Sequence, residues 1–217
     1  MNFSGTFELE DTTVEEVWLA LSDPVLVEQS LPGCQFLVEV DDTNVDFDDL
    51  REQTADREVE LTGDPEVIAE RALEEGNHYA ALMQISVGPV NPTFEAVVTI
   101  DHREYPEMSA SGEGTSGDSS FEMSSGMSLS ESGDGGVVVD WEAEADVFGR
   151  IAQMGQRVIN PVADRVIKRF FSSIQEKLSE LTISENEDER AVGDANDEDD
   201  GGRGLVDRVL GRNKDDN

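Results

Sequence analysis

The sequence predicts an α+β fold: a curved antiparallel sheet gripping one long C-terminal helix, with a ligand cavity between them. Three observations carry this. A strand pattern and two helices open the chain, a long stretch of period-two alternation broken by turn residues fills the middle, and a helical repeat over about 148–181 follows the last strand.

Phe3, Phe7 and Leu9 alternate with Ser4, Thr6 and Glu8, the pattern of a strand with one buried face. A helix starts at once, because Thr13 and Glu16 have capping-box spacing and Val14, Val17, Trp18 and Leu21 fall at i, i+3, i+4 and i+7. Asp23-Pro24 closes that helix and opens another, with Asp as cap and Pro at the first helical position, where its missing N–H is harmless. The second helix ends at Pro32-Gly33, and Phe36, Val38 and Val40 begin a second strand.

Over 42–76 the composition turns acidic, and "DPEVIAERALEEG" carries its own start at Asp64-Pro65 and stop at Gly76. The expectation is an inserted, solvated, partly helical excursion. Tyr79, Met83, Ile85 and Val87 then alternate as a third strand, "VGPVNP" turns, and Phe94, Ala96, Val98 and Ile100 give a fourth. The Ser- and Gly-rich stretch 109–136 resembles a linker in composition only. Met108 and Ala110 alternate with serines, Phe121, Met123, Met127 and Leu129 all lie on odd positions, and "SGDS" and "SGDGG" punctuate as turns. Val137, Val139, Trp141, Ala143, Ala145 and Val147 form the last strand, opposite a face of Asp and Glu.

On an ideal helix, the apolar residues from Ile151 to Leu178 cover an arc of roughly 200°, wider than one sheet contact needs. Asn160-Pro161 predicts a kink or restart. Arg150, Arg157, Arg165 and Lys168 cluster on the opposite side, either paired internally with carboxylates or free as a partner-docking surface. The domain is thus 1–181, with 42–76 inserted, and 182–217 is an acidic tail too poor in apolar residues to fold alone. Its terminal "RGLVDRVLGR" is amphipathic and suits peripheral contact with a membrane or a partner groove.

Fifty acids against fifteen bases give a net charge of -35, which excludes nucleic acid as a natural partner and fits a high-salt cytosol, where counterions screen self-repulsion. "MNFSGTFELE" has no basic region ahead of an apolar core, and no apolar run reaches the roughly 18 residues of a spanning helix. A cytoplasmic protein is expected, with any membrane association peripheral. One cysteine, Cys34, excludes an internal disulfide and offers no metal-ligand spacing. The acidic clusters lack the offsets of a calcium loop, and His78 and His102 sit in no catalytic motif, so neither a metal site nor a catalytic set is expected.

Taken in order, "VWLALSDP" with "LPGC", the turn "VGPVNPTF" and the helix opening "GRIAQMGQRVI" resemble the CoxG family of carbon monoxide dehydrogenase subunits, within the START-like (SRPBCC) polyketide cyclase superfamily; the composition marks a haloarchaeal-type acidic member. The resemblance covers about 1–40 and 78–181 and leaves out the insertion. It implies a non-catalytic accessory protein that couples a molybdenum hydroxylase of the carbon monoxide dehydrogenase type to the membrane and carries a quinone or other lipid, with no covalent cofactor. By their facing, the candidate lining residues are Trp18, Phe36, Tyr79, Met83, Phe94, Trp141, Phe148, Ile151, Met154 and Val158, and the candidate partner-binding residues are Arg150, Arg157, Arg165 and Lys168. Two other readings belong to the same fold: a cyclase- or hydrolase-like enzyme, with convergent polar groups deep in its pocket, and a ligand-free structural adaptor.

Overall fold

The computed structural model describes residues 1–133 and 135–191, with side chains through 181. Strand β1 (Asn2–Leu9) leads into α1 (Val14–Ser22), α2 (Pro24–Ser30) and β2 (Cys34–Val40). The capping box forms as the spacing predicts: Thr13 Oγ1 accepts from the Glu16 N–H, and Glu16 Oε2 accepts from the Thr13 N–H. Asp23 caps α2 by accepting from the Val25 N–H at 3.0 Å. The insertion contributes α3 (Phe47–Thr54) and α4 (Pro65–Arg71). Strands β3 (His78–Gln84), β4 (Thr93–Glu104), β5 (Glu107–Ser116), β6 (Ser119–Glu131) and β7 (Val137–Phe148) follow, then α5 (Gly149–Ala152) and α6 (Gln156–Ala191).

All seven strands join one antiparallel sheet in the order β1-β7-β6-β5-β4-β3-β2, so the helices after β1 carry the chain from one edge to the other. The long α6 packs against α1 and α2 and closes one face of the sheet, which is the helix-grip arrangement. The Ser- and Gly-rich middle is β5 and β6, paired without a shift of register from Glu107↔Ser128 to Ser116↔Ser119. Two glycines of the sheet accept aromatic rings from the neighbouring strand. A Cβ on Gly5 would lie 3.1 Å from the Trp141 ring, and one on Gly114 only 2.5 Å from the Phe121 ring. Small residues thus let large rings lie down on the sheet.

The core has three parts. The main cluster holds Leu9, Val17, Trp18, Leu26, Tyr79, Ile100, Leu129 and Val139 against Phe171, Ile174 and Leu178 of α6. A second gathers Val87, Phe94 and Ile151 with Phe121, Val147, Met154, Val158 and Val162. The third is Phe36, Ala80 and Leu82, covered by Phe47 and Leu50 of α3.

That third cluster corrects two expectations. The alternation of Phe36, Val38 and Val40 is real, but it marks the convex face of the sheet; Leu37 is the β2 residue that joins the main core. The insertion is partly helical and mostly exposed, as expected, but it is also anchored to the body. It buries Ile68 and Leu73, and its three arginines each bind a carboxylate of the body: Arg51 to Glu95, Arg57 to Glu28 and Arg71 to Asp23. The helix does not restart at Asn160-Pro161. Pro161 lies inside α6, and the chain turns instead at Gly155, whose φ of +75° glycine adopts without strain. Helix α6 continues to Ala191, ten residues past Leu181. The terminal "RGLVDRVLGR" lies outside the described residues.

Candidate functional site

Pairing register places the candidate site on the helix-facing side of the sheet, between the main and second clusters. Strand β7 carries Trp141, Ala143, Ala145 and Val147 on this face. Trp141 belongs to the main cluster and Val147 to the second. Between them run two rows of mostly small side chains across neighbouring strands, Ala143 with Ser125 and Ala110, and Ala145 with Met123, Gly112 and Val98. All seven are half-buried, and the clusters at either end contain buried residues, among them Leu129 and Val139 in the main one and Phe94 and Ile151 in the second. At about 3.4 Å per residue, Trp141 and Val147 stand about 20 Å apart along the strand. The result is a strip of mostly small, half-buried residues with an aromatic ring at each end, Trp141 over Gly5 and Phe121 over Gly114, and this strip is the floor of the candidate groove.

Helix α6 spans this interval. Its Val158, Ile159 and Val162 enter the second cluster, and its Ile167, Phe170, Phe171, Ile174 and Leu178 enter the main one. The wide apolar arc therefore serves two separate contacts with the floor between them. No ionisable side chain stands on the two floor rows. The one hydroxyl there, Ser125 Oγ, donates to the Ala110 carbonyl at 3.3 Å. Such a floor offers dispersion and hydrophobic contact, with nothing to transfer a proton.

The ten candidate lining residues separate accordingly. Met83, Phe94, Trp141, Ile151, Met154 and Val158 stand in the two clusters that flank the groove. Trp18 and Tyr79 are fully packed core. Trp18 meets Tyr105 edge to face at 5.7 Å and has the Arg103 guanidinium 5.3 Å from its ring centre, while Tyr79 Oη accepts from the Glu74 N–H at 3.1 Å. Phe36 is on the convex face, and so is Phe148, an even-numbered residue on a strand whose odd positions face the helix; it is 50% exposed. The floor itself was missed, since a groove is left by small residues while apolar pattern draws attention to the large ones.

The remaining candidates are settled by local geometry. Cys34 Sγ donates to the Phe36 carbonyl at 3.3 Å, and burial, with the Glu28 charge adding to it, pushes the thiol up to about 12. His78 pairs with Thr99 Oγ1 and His102 with Glu75 and Glu104, so the two histidines have separate partners. Among the described residues, no group of three or more His, Cys, Asp and Glu is arranged to hold a metal ion. On the convex face an open concavity of about 650 Å³ is lined by hydroxyls and carboxylates such as Ser109, Ser128, Asp140 and Glu142. Its chemistry is that of a solvated sheet face; Thr6, also in its lining, already donates to Asp140 at 2.7 Å. Arg150, Arg157, Arg165 and Lys168 are exposed, and among the described residues none has a carboxylate within ion-pair distance.

The seven-stranded antiparallel sheet and the long helix packed on it define the class as a helix-grip protein. The model of the CoxG family of carbon monoxide dehydrogenase subunits matches residues 70–179, just over half of the chain, and the chain belongs to that family. The match takes in "VGPVNPTF" and "GRIAQMGQRVI" but neither "VWLALSDP" nor "LPGC". Among solved structures, a conserved protein from Geobacillus kaustophilus is similar at 24% identity and a TM-score of 0.61, covering 83% of this chain and 96% of that one. A protein from Thermus thermophilus matches at 8% identity and a TM-score of 0.52 over 82% of this chain and 97% of its own. A hypothetical protein from Helicobacter pylori does so at 10% and 0.51, over 81% and 86%. At these identities the likeness establishes the fold. No protein of curated function matches the chain. Among the described residues, no helix is long and apolar enough to cross a membrane.

Proposed function

We propose that this protein is a non-catalytic accessory subunit that carries a hydrophobic molecule, of quinone or related lipid chemistry, in the groove beneath α6. In this role it couples a carbon monoxide dehydrogenase-type molybdenum hydroxylase to the membrane from the cytosolic side. The observation that carries the reading is the floor: two rows of mostly small, half-buried, uncharged residues between Trp141 and Phe121. A planar quinone ring fits aromatic end walls, and a prenyl tail fits the apolar floor, each 100 Å² of buried apolar area contributing about 2.5 kcal/mol. A bound quinone would supply electron acceptance. The chain's own residues would bind it, exclude water and orient it.

The enzyme alternative calls for convergent polar groups deep in the site, and the floor offers one hydroxyl already bonded to the backbone. The family assignment supports the hydroxylase as partner, and the exposed Arg150, Arg157, Arg165 and Lys168 supply a face on which it would dock. The charge of -35 belongs with a high-salt cytosol in this reading. Native mass spectrometry of the full-length protein purified from its own host, paired with lipid extraction, tests the carrier role. The expected result is a bound mass that extracts as a quinone or other lipid; protein that is consistently empty contradicts it.

A further inference from the structure

Acidic residues are distributed over the chain with one large exception. Three segments, 29–38, 76–94 and 149–175, contain a single acid, Asp164, while the rest of the chain carries 49. The last of the three also holds five of the fifteen bases: Arg150, Arg157, Arg165, Lys168 and Arg169. Burial explains part of this depletion and not the remainder. The exposed positions of these segments carry Gln35, Gln84, Ser86 and Asn91, neutral side chains where exposed positions elsewhere carry Asp and Glu.

The three segments meet in space. Gly33 at the end of α2 accepts from the Gln84 N–H at 2.8 Å, joining the first segment to the second. A small cleft of about 150 Å³ then brings Pro32, Gly33 and Ile85 against Val162, Arg165 and Arg169 of α6. Gly88, in the turn after β3, lies against Val158. One end of the molecule is therefore almost free of carboxylates on three separate stretches of chain and is rimmed by cations. Arg165 and Arg169 are one helical turn apart, with Lys168 between them, so their mutual repulsion is an intrinsic cost to the helix. Among the described residues, no carboxylate within ion-pair distance offsets it.

We infer that this end is a docking surface for the acidic face of a protein partner, with Arg165 and Arg169 at its centre. Four of the five cations are arginine, whose planar fork binds carboxylates in bidentate fashion. A lipid bilayer is the lesser fit. The exposed residues of α6 here are polar or charged apart from Pro161, and Phe148, beside Arg150, is a single exposed ring, whereas an interfacial helix offers a continuous apolar face. An extended anionic sheet would also repel the heavily acidic remainder of the chain, whereas a protein presents its carboxylates locally. The same half of α6 walls the groove at its Phe121 end, so a partner seated here would sit beside the carried ligand.

The inference rests on the proposed function for its partner, and one experiment separates the two. Binding of the full chain to purified carbon monoxide dehydrogenase-type hydroxylase of the same organism is measured for wild type, Arg165→Glu/Arg169→Glu, and a convex-face control, Glu142→Gln/Glu144→Gln. The surface predicts a loss of about 100-fold in affinity for the arginine double variant, a control within about twofold of wild type, and unchanged thermal unfolding. Wild-type binding that the arginine variant retains overturns the surface and leaves the proposed function standing. No binding by wild type overturns both. A parallel sedimentation assay with phosphatidylglycerol–phosphatidylcholine vesicles supplies the bilayer arm: vesicle binding lost in the arginine variant, with hydroxylase binding kept, assigns the end to the membrane and overturns the protein partner.

Discussion

Gly33 and Cys34 show how much a single corner determines. Gly33 has a φ of +82°, and a Cβ there would overlap the Gln84 carbonyl oxygen, so the turn from α2 into β2 depends on glycine. Cys34 next to it is a half-buried neutral thiol. Its acidity, displaced from 9.0 to about 12, has a definite sign: the folded protein keeps the proton over an interval in which the unfolded chain loses it. The stabilisation this protonated thiol gives is fully present below about pH 9 and is lost as pH rises towards 12. Wild type should therefore lose urea stability relative to Cys34→Ala between pH 8 and pH 11, and at pH 8 iodoacetamide should label Cys34 slowly until urea unfolds the chain. Rapid labelling of the native protein would contradict this. The Pro-Gly bend was legible in the sequence because a proline-glycine pair has few conformational choices. Which face Phe36 occupies was not legible, since alternation reports that a face is covered and is silent about what covers it.

At the scale of elements, the insertion is the least readable part and the most informative. Its acidic composition suggests solvation, yet Phe47 and Leu50 close the convex side of β2 and β3 while Arg71 reaches the fully buried Asp23. Asp23 Oδ1 caps α2 and Oδ2 accepts from Arg71 Nη2 at 2.7 Å, so one carboxylate ties α1, α2 and α4 together. Removing the cation leaves a buried charge without its partner. Arg71→Ala should cost about 3 kcal/mol in denaturant unfolding, and an effect below about 0.5 kcal/mol would mean that the insertion is held by its apolar contacts instead. The spacing of Phe47 and Leu50 and the Asp46 cap were visible in the sequence, but nothing local says what they pack against. The Ser- and Gly-rich strands were readable for a simpler reason: the period-two pattern survives whatever small residues fill the other face.

Across the whole molecule, the architecture was accessible from order and period, and the groove was not. Wide apolar coverage of the last helix signals two contacts, and α6 makes both. The space between them is defined by Ala110, Gly112, Ala143 and Ala145, residues whose contribution is their lack of bulk. The charge pattern follows the same division, with acids over the sheet and the insertion and cations beside one end of the groove. The central claim is that this groove holds a hydrophobic ligand against Trp141. It is tested most directly by titrating the full-length protein with a short-chain quinone and following tryptophan fluorescence. The account predicts saturable quenching that is largely lost in Trp141→Phe and weakened at least about tenfold in Ala145→Phe, where the new ring fills the floor. Quenching that is linear, unsaturated and equal in all three proteins would contradict it.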